Sequence, residues 1–423
     1  VSIFYGCQKW GIYLAVIASV FFQETQVYAR SLSAPISLNT TQVLPKGVRS
    51  ARVGGVTTMV DSWYDGGSQD VTVASPLIQE LSYERLLRAE NDESLKLNIE
   101  SQLKAKGIPL DTIAGTSLAD LNTRVTATIP ALAMGVTDSW TLAVAVPVVH
   151  TRVDEATSFD STPGLQKVVD EFAQKGRGDT KTIESKLNDV IATELDNKGY
   201  LPLEDREMTE VGDINLISKL RLYNGYSVKW ALTNLLVIPT GRTRAINRLI
   251  DPAAGDGQWD FGTTSQMAFP ITSKFRLLHE VGYLVQLPDT QDTRIPVSSG
   301  EILSRDVDLG ARRDMGDIAH TMFGMMYQPF NFLTLGLGYQ AAYKQQDRWQ
   351  GDIVDPSRYE LIGQFTEQYM QAAILQVGAT SVQAYRAKQF PIPLTANLTY
   401  SRAFDGRHVR NNNVWSANVS LYF

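Results

Sequence analysis

The chain has 423 residues, of which 43% are hydrophobic and 20% charged, and a formal net charge of −6. That balance leaves no basic footprint for nucleic acid, and a single cysteine, Cys7, excludes a disulfide framework or a cysteine metal centre. After position 30 no apolar run is long enough for a membrane helix, but a membrane β-barrel needs none, because its strands alternate between lipid and lumen.

Residues 1–29 read as a secretory signal peptide. Lys9 gives a positive start, Trp10 to Phe22 an apolar core, and Val27-Tyr28-Ala29 small residues at a cleavage site. Cys7 would leave with it, which suits an oxidising envelope compartment. The mature chain is expected to begin near Arg30 and to enter a barrel spanning 49–423.

Strands are predicted near 49–61, 120–133, 140–150, 211–222, 228–239, 258–269, 275–287, 312–327, 331–344, 372–388, 393–404 and 412–423. The pattern is plainest in the last, where Trp415, Ala417, Val419, Leu421 and Phe423 share one face and Ser416, Asn418 and Ser420 the other. Leu333 to Ala341 and Leu394 to Ser401 repeat it. Trp415, Val419, Leu421 and Phe423 also make a terminal alternating signal of the kind that barrel-assembly machinery reads. Short turns at 135–138, 223–227, 271–274 and 328–331 alternate with long polar segments, roughly 62–119, 151–210, 240–257, 288–310 and 345–368. That asymmetry separates periplasmic from extracellular ends. The fold class is therefore all-β: a transmembrane antiparallel up-and-down barrel of about twelve strands, with ten or fourteen as the alternatives. Its surroundings would be outer-membrane lipid and lipopolysaccharide of a Gram-negative bacterium.

Helices are expected in the long loops near 62–119 and 151–210. In the second, Ser161-Thr162-Pro163 opens one, and Ile183, Leu187, Ile191 and Leu195 mark another over 180–197. A further one covers 76–106, broken around Asn91. The acidic stretch Asp251 to Asp260 lacks the spacing of a calcium-binding EF-hand and reads as a solvated extracellular loop.

Four passages carry a resemblance: Gly135-Val136-Thr137-Asp138-Ser139-Trp140 with Pro147 beyond it, Gly212-Asp213, Val237-Ile238-Pro239-Thr240-Gly241 with Trp259-Asp260-Phe261-Gly262, and Phe390-Pro391 to Phe423. In order and spacing they resemble the outer-membrane family of the phenol meta-pathway, akin to fatty-acid and toluene transporters. The resemblance implies a barrel passing small hydrophobic or aromatic compounds. Fatty-acid transporters of this kind carry an N-terminal hatch of some forty residues. Here the shorter stretch 30–48 would be a periplasmic or plug segment, with Leu44-Pro45-Lys46-Gly47 placed to enter the lumen.

No HExxH, GxSxG or Walker motif is present, and the four histidines are far apart in sequence. Neither a cofactor nor a metal is expected. Lys219, Arg221, Arg276, Glu280, His320 and Lys344 fall on faces opposite apolar stripes. A Lys or Arg facing lipid near midplane costs about 2–4 kcal/mol, so these side chains should face the lumen or sit near an interface. They would fill it as a salt-bridged network or select solutes by their field. Arg276 and Glu280 are too far apart along one strand to pair, so their partners must come from neighbouring strands. The functional expectation is a passive channel for small hydrophobic solutes. An occluded barrel binding through its loops and an outer-membrane hydrolase are the alternatives.

Overall fold

A computed structural model describes residues 32, 38, 40–60, 62–72, 79–88, 93–163, 195–299, 301, 303–411 and 413–423. The expected signal peptide lies outside the described residues, as do nearly all of the helices expected between 161 and 197.

Twelve antiparallel wall strands close on themselves. They are β1 Arg49–Val60, β2 Ile113–Thr137, β3 Trp140–Ala145 continued as Val148–Ser161, and β4 Arg206–Val211 continued as Ile214–Asn224. Then come β5 Lys229–Ile238, β6 Asp260–Pro270, β7 Phe275–Gln286, β8 Ile318–Phe330, β9 Leu333–Lys344, β10 Gln368–Thr380, β11 Leu394–Arg407 and β12 Asn413–Tyr422. Closure runs through β1, where Gly54 is in register with Asn418 on one side and Ile129 on the other. The even count puts Arg49 and Phe423 at the short-turn end, joined by backbone hydrogen bonds in both directions.

Outward faces carry the apolar residues that the alternation assigns to lipid. On β12, Trp415, Val419, Leu421 and Phe423 are exposed, while Ser416, Asn418 and Ser420 are buried. Exposed aromatics form two bands. Tyr223, Trp230, Phe330, Phe332 and Phe390 lie toward the short turns, and Trp259, Tyr283, Tyr343, Phe404 and Trp415 toward the long loops. Such girdles mark the two interfaces of a membrane barrel.

Several boundaries differ from the expected ones. β2 to β4 extend well above the membrane band. There both faces are chemically mixed: inward Val125, Ala127, Val149 and Val153 are buried, and outward Arg152, Asp154 and Glu207 meet solvent. Pro147 splits β3 and Gly212-Asp213 splits β4, with Gly212 N–H donating to the Pro147 carbonyl. Across that break the inward set changes from Arg206, Met208 and Glu210 to Asn215, Ile217 and Lys219, a one-residue slip in facing. The strand expected at 312–327 divides, since 312–314 belong to a separate sheet (Asp289–Ile295, Asp306–Asp314 and Arg348–Gln350) above the barrel. The strand expected at 372–388 stops at Thr380, and a short helix Val382–Arg386 follows.

In the first long loop, helices run over Tyr83–Arg88 and Glu93–Ala105, starting later than expected because Gln79–Ser82 pairs with β2 instead. A helix at Pro356–Gly363 was not anticipated. Its signal was present, for the Asp355 carboxylate caps Ser357 N–H at 2.9 Å and proline opens the first turn. That helix and the upper sheet enclose Ile295, Ala311, Tyr359 and Ile362, making a small extracellular cap with its own core.

Candidate functional site in the barrel lumen

The lumen is not empty. Gly47 N–H donates to Gly135 O at 2.8 Å and Gly135 N–H to Val48 O at 2.9 Å, fixing where the N-terminal segment meets the wall. A side chain at Gly135 would collide with the Pro45 carbonyl, so only glycine lets the segment pass. Leu44 N–H then donates to Thr141 Oγ1 at 2.8 Å. Further in, Lys219 Nζ donates to the Thr40 carbonyl. Leu38 N–H reaches Gln376 Oε1 at 2.9 Å and Leu32 N–H reaches Gln368 Oε1 at 2.7 Å. These two glutamines share the inward face of β10, which places Leu32 and Leu38 at two heights along that strand.

Leu38 occupies a cradle. Its side chain packs among inward Ala268, Leu278, Met322, Met326 and Ile374. Gly324, Gly336 and Gly338, inward on β8 and β9, leave room for it: a Cβ would come within 3.3, 2.6 and 2.6 Å of its methyl carbons. Three inward glycines on two adjacent strands therefore form a recess for one apolar side chain. Leu32 sits higher, against Ala342, Met370, Ala372 and Ala403.

Five of the six charged or titratable residues assigned to the lumen from sequence fall in two groups. Glu280, buried on β7, accepts from Gln266 Nε2 at 3.1 Å and lies 3.0 Å from His320 Nε2. Its partners are thus on β6 and β8, the strands flanking its own. Gly282 makes the space, because a Cβ there would run into the His320 ring. Toward the short turns, Lys219, Arg221 and Arg276 share the inward face but form no ion pair among the described residues. Arg221 instead donates to the Asp138 carbonyl at 2.6 Å. The sixth, Lys344, stands apart at the loop end, buried and paired with Asp347.

The loop between β5 and β6 corrects one expectation. Asp251, Asp256, Gln258 and Asp260 are buried in the extracellular mouth, not solvated. The reason is a set of specific partners. Arg242 bridges Asp251, at 2.6 Å, and Glu210. Asp213 accepts Gly241 N–H at 2.9 Å and Asp256 N–H at 3.3 Å. Gly241 and Gly255 pack so closely that a Cβ on either would sit 2.7 Å from the other's Cα. Burial acts to raise the Asp251 pKa, but hydrogen bonds from Arg242 and Ala245 N–H outweigh it and hold the carboxyl below its ordinary range. Gly212-Asp213 and Pro239-Thr240-Gly241 are separate motifs in the sequence, and the fold brings them into contact.

A second cluster missed in the sequence staples the cap to the barrel. Arg294, nearly buried, donates to the carbonyls of Ile246 (2.5 Å), Lys198 (2.6 Å), Ser304 (2.8 Å) and Gly199 (2.5 Å), with Tyr200 3.7 Å beneath its guanidinium. Arg313 joins Asp289 at 2.6 Å and the Asp256 carbonyl at 2.6 Å. All of these partners are far apart in sequence, so no local pattern announced them.

No family model and no curated protein sequence matches the chain. Solved structures do match. An outer membrane channel from Pseudomonas putida F1 aligns with a TM-score of 0.52 at 11% identity, covering 92% of this chain and 100% of that one. The toluene transporter TodX of Pseudomonas putida aligns at 11% identity over 90% of each chain, with a TM-score of 0.32. A FadL homologue of Pseudomonas aeruginosa aligns at 10% identity over 89% of this chain and 90% of that one, with a TM-score of 0.31. The first of these likenesses is one of fold, and the fold is that of a closed outer-membrane β-barrel.

Proposed function

We propose that the protein is an outer-membrane channel for passive uptake of small hydrophobic or aromatic solutes, with the segment that carries Leu38 and residues 40–45 acting as a displaceable plug. The observation that carries this reading is the Leu38 recess. An apolar niche built from inward Leu278, Met322, Met326 and Ile374 is unusual for a polar lumen, and it accepts a small apolar body. A solute of similar size competes with Leu38 for the same surface, so occupancy and opening are coupled. Likeness of fold to the channel from Pseudomonas putida F1 points the same way.

Purified full-length protein in liposomes tests it. Toluene or a similar small aromatic should equilibrate faster than in protein-free vesicles, and faster still when residues 30–44 are removed. No permeability to aromatics, fatty acids or sugars in either form would sink the proposal.

The occluded-barrel reading draws on one observation, the cap stapled by Arg294 across the long loops. Deleting residues 160–198 separates the two: a channel keeps its permeability or becomes leakier, whereas a surface binder loses its ligand with permeability unchanged. A hydrolase would need a nucleophile within reach of His320. The groups that hold this imidazole and its partner carboxylate are Glu280 and Gln266, which supports a structural role.

A further inference from the structure

The short-turn end of the lumen is lined by cations. Arg52 on β1, Arg221 on β4, Lys229 on β5 and Arg276 on β7 share the inward faces of their strands. None has an ion-pair partner among the described residues. In the five short turns a single carboxylate, Asp138, stands against Lys274, Arg386 and Lys388. The long loops are the reverse, rich in Asp and Glu, and there Arg242, Arg313 and Arg358 pair with Asp251, Asp289 and Asp306. The nearest inward carboxylate, Glu280, is already engaged by His320 and Gln266 and lies four residues along β7 from Arg276, about 13 Å at strand spacing.

Three of these cations meet in one place. A pocket of about 210 Å³ between the N-terminal segment and the wall is lined by Lys229, Lys274 and Arg276, by inward Ala268, Pro270 and Leu278, and by Thr40. Lys274 Nζ donates to the Pro329 carbonyl at 3.3 Å, which orients the charge without neutralising it. Like charges gathered at a partly open pocket raise the local concentration of anions, and adjacent apolar residues favour an anion with a hydrophobic body.

We propose that this cavity is a binding site for small aromatic or short-chain monocarboxylates on the periplasmic side of the lumen. The carboxylate meets Arg276, Lys229 and Lys274, and the apolar body lies on Ala268, Pro270 and Leu278. The site deepens the uptake reading, on which it rests for its place in the pathway, by adding a charge requirement to a hydrophobic one.

The test uses the full-length protein in detergent and in liposomes, with benzoate and its neutral isostere benzamide as probes. Calorimetry should show benzoate binding about tenfold tighter than benzamide, and Lys229→Gln combined with Arg276→Gln should bring the two together. Benzamide binding should not change in the double variant, and its unheated gel mobility should match the parent if the barrel is intact. A variant that fails this check is replaced by single substitutions at Lys229 or Lys274, each expected to lower the ratio. Equal binding of the two probes by the parent, or a ratio that survives in the variants, overturns the proposal. Equally tight competition by inorganic phosphate also overturns it, because the apolar wall would then contribute nothing. Benzoate binding without flux of either probe would leave the site standing and remove the uptake reading instead.

Discussion

The extracellular cap and the N-terminal segment are held to the barrel by different kinds of bond. In the cap, the fastenings are charges with several partners, as at buried Arg294 with its four carbonyls and at Arg242 between Asp251 and Glu210. In the lumen, the segment is held mainly by neutral contacts: single N–H groups on Thr141, Gln376 and Gln368, and one leucine in a recess. A neutral hydrogen bond contributes about 1 kcal/mol net, whereas stripping a buried charge of its partners costs several times as much. The cap is built as part of the wall.

The sharpest way to break that contrast is at Arg294. Replacing it with methionine leaves the carbonyls of Ile246, Lys198, Gly199 and Ser304 without their donor and removes the cation over Tyr200. We expect a loss on the order of 3 kcal/mol, confined to the loops. Limited proteolysis should then cut within 195–205 or 298–305 while the barrel keeps its unheated gel mobility. A cap that stays protected would mean the staple is redundant.

Next in size is Leu38→Ala, which should cost the segment about 2 kcal/mol of its hold on the lumen. At 1.4 kcal/mol per decade the open fraction should rise roughly thirtyfold in single-channel recordings. Gly338→Ala attacks the same recess from the wall, since its new methyl group would meet a Leu38 methyl at 2.6 Å. Both should open the channel without destabilising the barrel. If Leu38→Ala opens it and Gly338→Ala does not, the recess relaxes more easily than its glycines imply.

How much of this was legible in the sequence divides along the same line. The wall was, because lipid imposes one rule on every strand: Trp415, Val419 and Leu421 must face out, and Lys219 or Glu280 must face in. Above the membrane the rule lapses. β2 runs up to Ile113 and β3 out to Ser161 with Arg152 and Asp154 outward, so no apolar alternation marks their true length. The slip at Gly212-Asp213 likewise hides in a sequence that offers no turn. Lumen-facing charges could be assigned from the cost of placing them in lipid. Their partners could not, because Leu38 meets Gln376 across 338 positions and Lys219 meets Thr40 across 179. Periodicity reports which way a side chain points, never what waits for it there.

A smaller effect is expected from Gln376→Leu, which removes the acceptor for Leu38 N–H and for Thr399 Oγ1 at 3.4 Å. Loss of about 1 kcal/mol should raise the open fraction roughly fivefold, below the effect of Leu38→Ala. If the glutamine substitution opened the channel more than the leucine one, hydrogen bonding and not apolar packing would be the principal hold.

The smallest expected effect tests the cap side by pH. His408 sits between β11 and the short strand Val409–Arg410, stacked on Trp63 at 6.4 Å and edge-on to Phe365 at 5.6 Å, with Nδ1 2.9 Å from the Glu367 carbonyl. Burial pushes its pKa below 6.5, and neighbouring Arg407 adds to that against the opposing pull of the Glu367 carbonyl and of Asp65 and Glu367. The folded state therefore keeps a neutral imidazole while the unfolded chain takes up a proton near pH 6.5. Stability is fully present above that value and declines as the pH falls through it toward the lower folded pKa, below which the decline stops. Lowering the pH from 7.5 to 5.5 should weaken this corner, read as a change in tryptophan emission and faster cleavage near Ser62 to Gln69. His408→Phe, which keeps an aromatic ring and cannot titrate, should flatten that response and leave permeability unaltered. A lumen that opened with the same pH profile, and stopped doing so in His408→Phe, would show that cap and plug are coupled and not independent closures.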